Sequence, residues 1–147
     1  MAINYNEEDL KDHHAVHAII KNSRGEVLMQ DHVKYGFWTF PIGKAKDGQS
    51  PIDGIKEEIL EECNIKIEKL KEIITDEITY DRNGNIVTTY IHVYEIIEYS
   101  GEIINNEPHK HREQKFVPLE EIKKVPYVSD SVIIYLRYLG FERKARL

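Results

Sequence analysis

Two hydrophobic periodicities alternate along this chain. HHAVHAII (13–20) and EVLMQDHV (26–33) are apolar, partly β-branched runs on either side of NSRG, which predicts two strands joined as a hairpin. YGFWTFPIGK (35–44) predicts aromatic, extended backbone that breaks at Pro41 and Gly43, and AKDGQS predicts a loop. The period then changes. In PIDGIKEEILEEC (51–63), Ile52, Ile55, Ile59 and Cys63 fall within about 80° of one another at about 100° per residue. That is the apolar stripe of a helix. Ser50 suits its N-cap, Pro51 its first position, and Asp53 completes an S-x-x-D box; Asn64 suits a left-handed stop.

Beyond the helix, IKIEKLKEIITDEITYD (65–81) predicts one or two strands, RNGN a hairpin turn, and IVTTYIHVYEIIEYS (86–100) a long strand. Both faces of the long strand are largely apolar, so its sheet should be covered on each side. GEIINNEPHKHREQ (101–114) reads as a polar loop, KFVPL as a short strand and EEIKK as one helical turn. SDSVIIYLRYLG closes the pattern as a second amphipathic helix ending at Gly140. The sum is an α+β domain with helices packed on a mixed sheet.

Composition narrows the setting. The 147 residues, 41% of them hydrophobic, suit one domain spanning 1–147. A formal charge of −6 argues against nonspecific DNA binding and against an anionic membrane. It leaves room for a small phosphate-bearing partner, because a bound cation can reverse the local sign. The single cysteine, Cys63, excludes an intrachain disulfide, and its place on the apolar stripe suits a buried thiol rather than a nucleophile. MAINYNEEDLKDHH is too polar for a signal peptide, and no apolar run approaches the roughly 18 residues of a membrane span; a cytoplasmic location is expected.

The helix's other side carries the chemistry. Glu57, Glu58, Glu61 and Glu62 make two like-charged i,i+4 pairs, each unfavourable by roughly 0.2–0.5 kcal/mol. A solvated acidic face is the plain reading. Clustered hard oxygens just after a glycine-containing loop also suit Mg²⁺ or Mn²⁺.

Residues 43–65, GKAKDGQSPIDGIKEEILEECNI, resemble the Nudix box, G-x5-E-x7-R-E-U-x-E-E-x-G-U, in which U is bulky and aliphatic. Gly43, Glu58, Ile59, Glu61, Glu62 and Ile65 match the motif; Gln49, Glu57 and Asn64 replace its first Glu, its Arg and its last Gly. Upstream GFWTFPIGK and downstream EQKFVPLEEI resemble the family's flanking segments. The resemblance implies the Nudix fold, an α/β/α sandwich around a mixed sheet. In the family the first Glu and the Arg pair electrostatically; here a Gln49 amide donating to Glu57 would preserve the contact.

The same resemblance implies roles. Glu58 and Glu62 become the primary metal ligands and Glu61 supports them as ligand and catalytic carboxylate, with the Ile42 carbonyl as a further ligand. A late-loop general base falls on Glu113, ahead of Glu107, Glu120, His109 and His111. Read from the residues themselves, Lys44 and Lys46, with Gly43 between β-strand and loop, would bind substrate phosphates, and Trp38, beside Tyr35 and Phe37, would stack on a base; exposed lysines and core aromatics are the bland alternatives. His13 and His17 lie about 13 Å apart along one strand face, too far to share an ion, and read as structural or solvated.

The function implied is a Mg²⁺-dependent pyrophosphohydrolase, with Mn²⁺ as substitute, in which metal-activated water splits a nucleoside diphosphate linked to another group. Its partner would be a small nucleotide; a homodimer is admitted but not indicated. The rivals are a Nudix-fold sensor that binds without hydrolysing, kept open by Gln49 and Glu57, and a purely structural acidic domain.

Overall fold

A computed structural model describes residues 4–141; the ends of the expected 1–147 domain lie outside the described residues. After a short 3-10 turn at Glu8–Leu10 come strands β1 (His13–Ile19), β2 (Val27–His32), β3 (Trp38–Thr39) and β4 (Ile42–Lys44). Helix α1 (Pro51–Cys63) is followed by β5 (Lys66–Arg82), β6 (Asn85–Ser100), β7 (His111–Val117), α2 (Leu119–Ile122) and α3 (Asp130–Tyr138).

The strands divide into two sheets, β4-β1-β6-β5 and β3-β2-β7. Among the strand pairs of the described residues, only β1 with β6 is parallel. The expected hairpin of β1 and β2 therefore forms only at its turn, where Asn22 N–H bonds Glu26 O and Leu28 N–H bonds Ile20 O. Beyond it the strands part, because β4 and β6 occupy both edges of β1 while β7 and β3 occupy those of β2. Gly43 also differs from expectation, lying inside β4 rather than ending the extended segment. His111 to Gln114, expected in a loop, open strand β7 instead.

Two apolar layers hold the sheets between helices. Val16, Ala18 and Tyr94 pack against Ile55, Ile59 and Cys63 of α1. Ile19, Ile91 and Val93 pack on the opposite side with Val132, Tyr135 and Leu136 of α3. Alternation along β1 sends successive side chains to opposite layers, so one strand feeds both cores. The result is the α/β/α sandwich. Asn83 (φ 54°) and Gly84 (φ 89°) form the tight turn that joins β5 to β6, as residues tolerant of left-handed backbone must. No helix among the described residues is long and apolar enough to cross a membrane.

Candidate active site

Helix α1 starts and stops as its sequence dictates. Asp53 N–H donates to Ser50 Oγ at 3.1 Å, Pro51 opens the helix, and Asn64 ends it in the left-handed region at φ 63°. Its buried side comprises Gly54, Ile55, Ile59, Glu62 and Cys63. Ile52 is 41% exposed and so falls off the expected stripe, whereas Glu62 is only 3% exposed. The glutamates do not form one uniform solvated face.

Strand β4 is the open edge beside this helix. A Cβ at Gly43 would lie 2.2 Å from Glu58 Cγ and 2.6 Å from its Cδ, so the Glu58 chain rests on bare glycine backbone. Ala18 N–H bonds Pro41 O and Ala45 N–H bonds His14 O, so by antiparallel alternation the Ile42 peptide turns away from β1. Its carbonyl faces off the sheet edge.

The Glu58 and Glu62 carboxyls, one turn apart on α1, act on each other electrostatically. Burial, then the Glu58 hydrogen bond and charge, push the Glu62 carboxyl well above its ordinary value. Burial also raises Glu58, with the charge of Glu61 adding to it against the Glu62 hydrogen bond. Both upward shifts oppose a second negative charge on the pair. Buried Glu62 Oε1 has no hydrogen-bond partner, and the nearest cationic candidate, His111 Nε2, stands 3.5 Å away. Burial keeps that imidazole below its usual range and hence neutral.

Two hard carboxylates, one with an orphaned oxygen, beside an outward carbonyl suit a divalent oxygen-seeking cation. Among the described residues no three His, Cys, Asp or Glu side chains converge in metal-ligand geometry. Remaining coordination positions would fall to backbone, water or substrate oxygens, as is usual for Mg²⁺.

The structure gathers Ile42, Gly43, Lys44, Lys46, Glu58 and Glu62 around one cavity of about 540 Å³. Lys34, Arg82 and Lys110 also line it, concentrating positive charge in a protein of net charge −6. Glu61, Glu113 and Trp38 are not among its lining residues. Glu61 is exposed on α1. Exposed Glu113 lies 3.4 Å from Lys115, whose ammonium stands 5.1 Å over the Trp38 ring. Extended backbone turns neighbouring side chains oppositely, so Phe37 enters the cavity and Trp38 leaves it.

Other residues came into view only in the fold. Asp9, fully buried, pairs with Lys34 at 2.5 Å and with Lys44, while its carbonyl accepts from Arg82 Nη1 at 2.7 Å. Glu107 lies 3.2 Å from Lys110, and its charge acts on both Glu58 and Glu62. His17, read as structural or solvated, is 2% exposed and lines the cavity.

The family model for the NUDIX domain matches residues 11–137. The chain belongs to the Nudix family. Its fold is shared by the MutT NUDIX hydrolase of Burkholderia pseudomallei, at 20% identity and a TM-score of 0.69 over 87% of this chain and 98% of that one. The MutT protein of Bacillus halodurans matches at 20% identity and a TM-score of 0.70, over 89% and 84% of the two chains. An Ap4A hydrolase of C. elegans matches at 20% identity and a TM-score of 0.63, over 87% and 95%. No curated protein matches the chain closely enough to count as a relative. Nudix family members are hydrolases that act on pyrophosphates and generally use divalent metal ions.

Within this Nudix box two of the three departures, Gln49 and Glu57, meet in one contact. Gln49 Nε2 donates to Glu57 Oε2 at 3.2 Å, and Lys46 Nζ donates to Glu57 Oε1. The Lys46 hydrogen bond, with its charge and the Gln49 amide, holds Glu57 below the ordinary carboxylate value. The loop-to-helix contact is present with its polarity reversed: the helix brings the acid and the loop the base.

Proposed function

We propose that this Nudix protein is a pyrophosphohydrolase that splits a nucleoside diphosphate linked to a further group, using Mg²⁺ or, in its place, Mn²⁺. The observation that supports it most is the Glu58–Glu62 pair of carboxyls, seated beside Gly43 and opening into a lysine-rich cavity. Glu58, Glu62 and the Ile42 carbonyl would hold the cation, with Glu61 adding charge from the next position on α1. When bound, such an ion screens the phosphate oxygens and lowers the pKa of an attached water. Lys44, Lys46 and Lys110 offset the charge of the diphosphate and orient it for in-line attack. Glu107 is the better late-loop acid than Glu113, since its charge reaches the pair and its loop borders the cavity through His109 and Lys110. A small nucleotide in the cytoplasm, rather than a membrane or a polymer, is the intended partner.

A sensor that binds without cleaving is the second reading, favoured by the loss of the box arginine at Glu57. One assay separates them. The protein and Glu62→Gln are incubated with Mg²⁺ and dinucleoside polyphosphates, ADP-ribose, NADH, FAD and nucleoside triphosphates. Metal-dependent cleavage that disappears in the variant is expected; nucleotide binding with no turnover would favour the sensor. Hydrolysis in H₂¹⁸O identifies the phosphorus attacked.

A further inference from the structure

The cavity contains polar groups that phosphate chemistry does not require. His17 is 2% exposed, lines the cavity, and neither ring nitrogen has a hydrogen-bond partner. Thr89, 4% exposed on β6, lines the same cavity with its Oγ1 unpartnered. Leaving a buried donor or acceptor unpaired is costly, and folded proteins pair nearly all of them. A valine or isoleucine at position 17 would extend the apolar face of β1 without that penalty.

The surroundings indicate what the two groups meet. In register, His17 stands opposite Val93, Ala15 opposite Ile91, and His13 opposite Thr89. His17 and Thr89 therefore bracket a flat strip floored by Ala15 and Ile91, where the alanine leaves room above the sheet. Tyr35 stacks on Phe37 at 5.2 Å between centroids, and Phe37 lies 6.2 Å from Tyr127. All three rings line the cavity. An apolar floor and an aromatic wall fit a planar ring, while a neutral imidazole offers one donor and one acceptor to that ring's edge.

We propose that His17 is a specificity-determining residue that hydrogen-bonds the edge of the substrate's nucleobase, with Thr89 bounding the other end of the slot. This deepens the hydrolase reading by naming the part of the substrate that sets selectivity, and it rests on that reading for the substrate being a nucleotide. The side-chain hydroxyl at position 89 limits the slot's length, so purines and pyrimidines are distinguished by reach as well as by hydrogen bonding.

The test is direct. The chain labelled with ¹⁵N-histidine is titrated with AMP, GMP, CMP and UMP, and with ribose 5-phosphate as the probe lacking a base. His17 ring nitrogens are expected to shift with at least one nucleotide and to stay still with ribose 5-phosphate. His17→Gln and, separately, Thr89→Ala should lower the ratio of kcat/KM between best and worst base at least tenfold. Turnover of nucleotide substrates with His17 resonances unmoved by every nucleotide would overturn the inference and leave the hydrolase standing. Shifted His17 resonances without turnover would do the reverse, supporting the base slot while removing the hydrolase.

Discussion

At the scale of single residues, two carboxylates and two histidines set opposite limits on stability. Glu62 and Glu58 titrate above their ordinary value of 4.5, so the folded chain holds protons there more tightly than the unfolded chain. The stability they allow is complete below about 4.5 and is lost as pH rises through their raised values, at up to about 1.4 kcal/mol per pH unit per proton. Burial lowers His17 from 6.5 to about 3 and His32 to about 4. Their contribution is complete above 6.5 and is lost as pH falls toward those values. Urea unfolding from about pH 4 to pH 8 should therefore show Glu62→Gln flattening the high-pH decline and His17→Phe flattening the low-pH one. Mg²⁺ should restore stability most at the high end, where it offsets the repulsion between the two carboxylates. Gly43→Ala tests the glycine: a methyl group 2.2 Å from Glu58 Cγ has to displace that chain. Overpacking of this kind costs about 1–3 kcal/mol. Mn²⁺ affinity measured by electron paramagnetic resonance should fall at least tenfold in that variant.

At the scale of elements, α1 is fixed to the loop before it by Lys46, Gln49 and Glu57. Gln49→Ala and Glu57→Ala should be non-additive in a double-mutant cycle read by thermal unfolding, since both remove the same contact. Additive losses would show the contact to be idle. Glu57→Arg alone would set a guanidinium beside Lys46 and should lower both activity and Tm. Adding Gln49→Glu to it would rebuild the family's own acid–arginine pair and should recover them. Helix α1 was readable because its signals are local: a serine cap, a proline start, an asparagine stop and an apolar stripe. The separation of β1 from β2 was not, since their turn is local but their pairing is decided by β4, β6, β7 and β3.

At the scale of the whole molecule, charge is sorted by the fold. A chain of net charge −6 turns Lys34, Lys44, Lys46, Arg82 and Lys110 into one cavity. Asp9 anchors the first two from a segment ahead of the 11–137 family match. Asp9→Asn would leave both ammonium groups without their counter-ion. Because those lysines are 34% and 29% exposed, solvent screens part of the loss, and about 1–3 kcal/mol is expected by chemical unfolding. Substrate KM in that variant should also become more sensitive to added salt, as freed lysines meet phosphate through screened charge.

The sequence alone determined the helix carrying the carboxylates, the spacing of Glu58 and Glu62, the turn between β5 and β6, and the family, because each depends on neighbours within a few positions. The tertiary structure decided which carboxylate is buried, which aromatic ring enters the cavity and which acid meets Lys34 and Lys44. Those outcomes depend on strands packed against each other from distant parts of the chain, where one residue's shift in an extended segment exchanges inside for outside.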